Sequence, residues 1–391
     1  VTEIGSAAFM NTDENPTLKE IILHEGLEKI GSNAFAYASV KTIDLPSTVN
    51  AKRALNANAF RYNTEGNVIV WVNTQEQIDI LNNGLKNPTF ELRNKDIFTY
   101  EVTEKGATVT GLAEGAVVGD VLIIPRTTPG GKVITEIADA AVGGLFVQNT
   151  RSTYKEVVLP SDLKRIGKFA FHNNGIEKVE FPEGLEEIAQ AAFNTNNLTS
   201  VILPDSVVTL GANAFAANSN LSEVVLSKNL TEIPDRAFVT ANLTNIEIPD
   251  GITKIGKYAF ADNHFRNLVL SDSVKEIKSN AFSQTTMDMV LESVRLSKNL
   301  EAIGSRAFGN SNLSYVTIPS TLTELDKAAF AGAKKGSVYL YTSDEKQLEE
   351  TKSFKPEGTG HKVVLEDMLK SGWSFEDFTY DGSTVTGWSE Q

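Results

Sequence analysis

The 391-residue chain contains no cysteine and only four histidines. It also lacks any apolar run of the roughly 18 residues that a membrane-spanning helix needs. Without cysteine there is no disulfide framework, no thiolate metal site and no thiol nucleophile. Positive charge is short as well: 36 Lys and Arg stand against 50 Asp and Glu, for a formal net charge of -14. Nucleic-acid partners are held by clustered Lys and Arg, so the balance argues against that class, and the acidic surplus favours solubility. No H-E-x-x-H, G-x-S-x-G, Walker loop or Rossmann glycine pattern occurs. His172 and His264 each follow an Ala-Phe pair in different repeats and read as surface corners, and His24 and His361 stand apart from them. The acidic runs 11–16 and 343–350 lack the alternating ligands and glycine of a calcium loop. The expectation is a non-enzyme with no cofactor and no metal, and no membrane insertion by this segment. The opening "VTEIGSAAF" is no signal peptide, so any secretion signal or anchor is expected outside these residues.

What the chain does have is a period. Ala-Phe pairs end at Phe9, Phe35, Phe60, Phe171, Phe193, Phe215, Phe238, Phe260, Phe282, Phe308 and Phe330. From Phe171 the steps are 22, 22, 23, 22, 22, 26 and 22 residues, within the interval of leucine-rich repeats. In "LTSVILPDSVVTLGANAF" the residues Leu198, Val201 and Leu203 fit the L-x-x-L-x-L strand. Val201 and Leu203 face one way, and Ser200 and Ile202 face the other. Val207, Leu210, Ala214 and Phe215 then carry the chain back across the core, with small Ala beside large Phe so that coils interlock. A single coil cannot bury its apolar edge; stacking does, at roughly 25 cal/mol per Å². Asn197, Asn220, Asn242 and Asn312 precede the strands and are expected to form a buried amide ladder at the corners.

The array is broken into blocks. Residues 66–85 and 336–353 each read as a strand and a short polar helix, with Thr74 and Ser343 as N-caps. They suit the task of covering an open coil end, with Trp71, Tyr339 and Tyr341 as cap packing. "DIFTYEVTEKGATVTGL" (96–112) returns as "EDFTYDGSTVTGW" (376–388). Both read as β-hairpins, turning near Gly106 and Gly382. The expected organisation is therefore three blocks. Residues 1–95 are the C-terminal part of a first block with its cap. Residues 96–370 are a second, with a hairpin start, about nine coils and a cap, the first coil being degenerate around Ala141. Residues 371–391 begin a third, as in a window cut from a longer protein. The extra residues between Phe282 and Phe308, around "TTMDMVLE", read as a tolerated loop.

"LPSDLKRIGKFAF", "LPDSVVTLGANAF", "IPDGITKIGKYAF" and "IPSTLTELDKAAF" resemble the BspA-type leucine-rich repeat family over residues 1–65 and 130–335. The resemblance implies a β-rich repeat solenoid, a right-handed leucine-rich-repeat array in capped blocks with short β-hairpin and strand-helix caps. It further implies a secreted or surface-attached bacterial protein, associated with adhesion to host matrix proteins, epithelial cells or other microbes. The chain departs from many relatives by lacking Cys after Ala-Phe.

With no pocket chemistry in view, the outward strand columns remain. One reads Glu156, Lys178, Ser200, Glu223, Asn245, Asn267, Ser293, Tyr315; the next reads Val158, Glu180, Ile202, Val225, Glu247, Val269, Arg295, Thr317. β-Branched residues suit strands anyway. Even so, the run of exposed aliphatics exceeds what solvation requires, and Arg and Tyr are enriched at binding hot spots. Ile202, Val225, Glu247, Val269, Arg295 and Tyr315 are thus the expected partner-binding residues. The expected function is extracellular, adhesin-like binding of a protein or glycan on host or neighbouring cells, by a monomer. The alternatives are a passive spacer, or accessory repeats of a larger surface protein or hydrolase.

Overall fold

The computed structural model describes residues 1–11, 18–83, 85–116, 118–140, 145, 154–285 and 290–333. It also describes the strands Ser337–Thr342, Lys362–Asp367, Phe378–Asp381 and Thr384–Trp388. Expectations placed on Ala141, residues 12–16, residues 286–289, Ser343 and the rest of 343–350, His361, Gly382, and the side chains of Tyr339 and Tyr341 lie outside the described residues. Two compact units result: Val1–Ala138 with Val157–Lys164, and Asp139–Glu156 with Arg165–Gln391.

Each unit is a β-solenoid built from short parallel strands, as the repeat period predicts. In the second unit one ladder joins Arg165–Ile166, Glu187–Ile188 and Thr209–Leu210, with Ile166, Ile188 and Leu210 in register. The same ladder position continues through Ile233, Ile255, Ile277, Ile303 and Leu325. Adjacent residues of a strand face opposite sides, so the Ile/Leu column is inward and the residue before each one points outward. The other strand of the coil pairs Ser200–Ile202 with Glu223–Val225, and Asn267–Val269 with Ser293–Arg295, both parallel. Val201 and Leu268 are buried at the centres of their strands.

The Ala-Phe pair is the axis of the coil. Phe171, Phe193, Phe215, Phe238, Phe260, Phe282, Phe308 and Phe330 stack in one column. Their ring centroids are 5.0–5.7 Å apart and their planes lie within 16° of parallel. Each offset ring pair contributes about 0.5–1.5 kcal/mol beyond its buried area. Two left-handed residues bracket most of these rings: Ala191 and Thr195 around Phe193, Asn213 and Ala217 around Phe215, Arg236 and Thr240 around Phe238, with φ of 53–59°. Left-handed backbone costs an L-residue roughly 1–2 kcal/mol. The bends persist because they aim amides at the next coil: Ala191 N donates to Ala212 O and Thr195 N to Ala216 O, each at 2.9 Å.

The amide ladder exists, but not where expected. Asn197, Asn220 and Asn242 are exposed and Asn312 is half-buried. The buried corner asparagines are Asn174, Asn196, Asn218 and Asn263, each three residues after its Phe. Asn196 Nδ2 donates to Phe171 O at 2.8 Å and Phe193 O at 3.0 Å, while its Oδ1 accepts from the N–H of Asn174 and of Ile176 at 3.1 Å. Asn218 and Asn263 make the same bonds to the Phe carbonyls of their own and the preceding coil. The left-handed residue just before each one reverses the chain and sends this side chain inward, one or two positions earlier than a strand-based reading places it.

In the first unit Phe9, Phe35 and Phe60 stack in the same way at 5.6 Å. Strands Thr42–Asp44, Val68–Val72 and Phe90–Asn94 form a parallel sheet. The helix Gln75–Asn82 follows with Thr74 as its N-cap, the Thr74 side chain accepting from Gln77 N at 3.1 Å. Trp71 is fully buried, edge-on to Phe98 at 6.0 Å, which is the packing role expected of it. The hairpin is present too: Phe98–Val102 pairs antiparallel with Ala107–Leu112, and Thr103 N donates to Gly106 O across the turn. Phe378–Asp381 and Thr384–Trp388 pair antiparallel in the second unit.

Candidate binding face

The strand Ser200–Ile202 is short because Pro204 ends the ladder two residues later. Val201 anchors it in the core, so its neighbours must face outward. Ile202 is 56% exposed and sits in register beside Val225, 47% exposed. Val269, in register with Arg295, is 39% exposed and Tyr315 is 49% exposed. Hydrophobic side chains are thus held in water by the register itself. Glu247 is exposed as expected but occupies a segment outside any strand, so the column is not one unbroken ladder.

Arg295 departs from the role of a free anchor. Its guanidinium reaches back one coil to Asp272, with Nη1 to Oδ1 at 3.3 Å, and Nη2 donates to Leu270 O at 3.4 Å. Asp272 also accepts the Lys298 amide at 3.1 Å. That backbone bond, then the charges of Arg295 and Lys298, hold its carboxyl below the usual range. Arg295 therefore closes one end of the apolar strip. Tyr315 belongs to the other outward column, in register with Tyr339. The structure thus groups Ile202 and Val225 directly, places Val269 and Glu247 further along the face, and sets Arg295 and Tyr315 beyond them.

Glu223 was missed as a site residue. It shares the strand of Val225, is exposed, and lies opposite uncharged Ser200. The signal was legible in the column as written, where Ser200 and Asn245 flank it and neither supplies a cation.

A cleft of about 390 Å³ lies in the first unit, lined by Ile78, Leu92, Arg93, Ile97 and Leu122 among others. None of the six expected residues reaches it, and its charges Glu91 and Arg93 neutralise one another at 2.8 Å. Among the described residues no group of three His, Asp or Glu converges on a metal position. No described helix is long and apolar enough to cross a membrane.

A family profile described as the BspA type leucine rich repeat region matches residues 1–94, 148–265 and 222–337, in six copies. No match was found among curated protein sequences. Similar solved structures include a leucine-rich repeat protein of Bacteroides ovatus, at 17% identity over 69% of this chain and 98% of that chain, with a TM-score of 0.30. Another is a leucine-rich cell surface protein of Faecalibacterium prausnitzii, at 17% identity over 63% and 87% of the two chains, TM-score 0.32. The pneumococcal vaccine antigen PcpA is 19% identical over 69% and 97%, TM-score 0.32. With the profile spanning more than half of the residues, including the whole of the Phe171–Phe330 column, the chain belongs to the BspA-type leucine-rich repeat family.

Proposed function

We propose that this chain is an extracellular, adhesin-like binding protein that uses the outward strand face of its second unit to hold a protein or glycan on host or neighbouring cells. One observation carries the reading: Ile202 and Val225 are held exposed side by side by strand register, and Val269 is exposed two coils further along the same column. Neighbouring exposed aliphatics such as Ile202 and Val225 are the seed of an apolar patch of the kind that marks interaction surfaces. Membership of a family whose resemblance implies secreted, adhesion-associated proteins supports the placement outside the cell. The three-block organisation, 1–95, 96–370 and 371–391, belongs to the same proposal, because several blocks would multiply weak contacts into avidity.

The test is attachment of the purified chain to host extracellular matrix and epithelial cells. Ile202→Asp with Val225→Asp should lower attachment by about tenfold, since each buried charge opposite an apolar partner costs more than the roughly 1.4 kcal/mol that a decade represents. The thermal midpoint should fall by only a few degrees, because both side chains are about half exposed and the two aspartates repel across the register. Undiminished attachment would leave the chain as a spacer, and shortening the array would then reduce reach alone.

A further inference from the structure

Carboxylates of the second unit are commonly paired from coil to coil. Glu177 meets Lys155 at 3.5 Å, Glu232 meets Lys254 at 2.8 Å, Glu292 meets Arg266 at 2.9 Å and Glu301 meets Lys275 at 3.2 Å. Glu223 and Glu247 differ. Both are exposed, and neither meets a cation among the described residues. They occur beside Ile202, Val225 and Val269, on a chain whose net charge is already -14. An apolar strip flanked by Glu223 and interrupted by Glu247, both without a cation, favours a partner with an apolar stripe that carries cations within it and at its margin.

Spacing narrows the shape of that partner. Coils are 5.5–5.7 Å apart at the stacked rings from Phe193 to Phe282 and about 4.8 Å apart where strands pair. Ile202 to Val269 spans three coil steps, so roughly 14–17 Å along the array. Three turns of an α-helix cover about 16 Å. Three same-side repeats of an extended chain cover about 20 Å and fall out of step by most of a coil. On the premise that this face is the binding surface, we infer that its partner segment is a cationic amphipathic helix. The helix lies along the array, its apolar stripe over Ile202, Val225 and Val269, with Lys or Arg beside Glu223 and Glu247. Arg295, paired with Asp272, marks where the strip ends.

The probe is a fluorescein-labelled Leu/Lys peptide of about five helical turns, with Leu at i, i+4 and i+11 and Lys at i+7 and along the margin, titrated against the full chain. Two controls share its length: one with two central prolines, one with Glu for every Lys. The expected result is saturable binding of the Lys helix that weakens as salt rises, with binding about tenfold weaker for the proline peptide and for the Glu223→Lys, Glu247→Lys chain. Equal binding of either control peptide, indifference to the double charge reversal, or no binding at all overturns the inference. So does inhibition of matrix attachment by free glycan and not by the Lys helix, which assigns the face to a glycan. Failure of the peptide while Ile202→Asp with Val225→Asp still abolishes attachment rejects the helix and keeps the binding face. If neither variant nor peptide has any effect, both fall.

Discussion

Asn196 joins two coils through one side chain. Its amide satisfies the carbonyls of Phe171 and Phe193 and the amides of Asn174 and Ile176, all of them away from water. Replacing it by Ala strands those groups, and a buried polar group without a partner costs about 1–3 kcal/mol. Asn196→Ala should therefore lower stability by about 2–3 kcal/mol, read as a shift of the urea midpoint. Asn197→Ala, one residue on and exposed, should stay within about 0.5 kcal/mol. Equal effects at the two positions would return the ladder to the register that the sequence suggested. The sequence announced that asparagines matter at the corner. It did not say which of two adjacent ones points inward, because that depends on the left-handed turn at Thr195 (φ 59°), and Thr is not a residue from which such a turn is predicted.

At the scale of the coil, stacking is enforced by rings inside and by corners outside. Gly211 shows how close the coils come: a Cβ there would lie 2.2 Å from the Gln190 nitrogen. On the outside, Asp205 and Asp272 play the same part. Each accepts the backbone amide of a Lys in the following coil, Lys228 at 3.0 Å and Lys298 at 3.1 Å, and each lends its carbonyl to the Asn after that Lys. The paired segments "LSKNL" at 226–230 and 296–300 are thus docking sequences for the aspartate one coil before. The Lys298 backbone bond, with Arg295 and Lys298, depresses the Asp272 carboxyl below 3.8. As pH falls, the unfolded chain takes up that proton before the folded one does. The contribution is whole above the unfolded value and is lost as pH drops through the folded value. Asp272→Asn should consequently lose less stability on acidification than the parent, measured by denaturant midpoints across that range. A parallel acid profile would show that the corner carries no proton-linked stability.

At the scale of a whole unit, a buried lysine decides what folds together. Lys95 is almost fully buried in the first unit and offers its three protons to Asp44 at 3.2 Å, Asn73 at 3.1 Å and Thr127 at 2.7 Å. Burial lowers its pKa, with the Asp44 charge opposing. Asp44 in turn accepts the Thr127 amide at 2.7 Å and hydroxyl at 2.8 Å. The clamp therefore spans the proposed block boundary at 95/96, and residues on both sides lie in one compact unit. Removing one member of a buried ion pair leaves the other uncompensated, at about 3–5 kcal/mol. Lys95→Ala should cost that much, and hydrogen exchange should show Val68–Val72 and Ala107–Leu112 losing protection together. Loss confined to Val68–Val72 would make residue 95 a true boundary of cooperativity.

The fold was written in the local pattern. Apolar spacing and the Ala-Phe interval determine coil, strand, cap and hairpin, since each coil can bury its edge only on a copy of itself. The outward direction of Ile202, Val225 and Val269 followed from strand alternation alone. The tertiary structure decided the rest, because it depends on distances between coils. Only there does Arg295 turn back to Asp272 and Lys95 reach from a cap to Thr127, neither of which any spacing along the chain encodes.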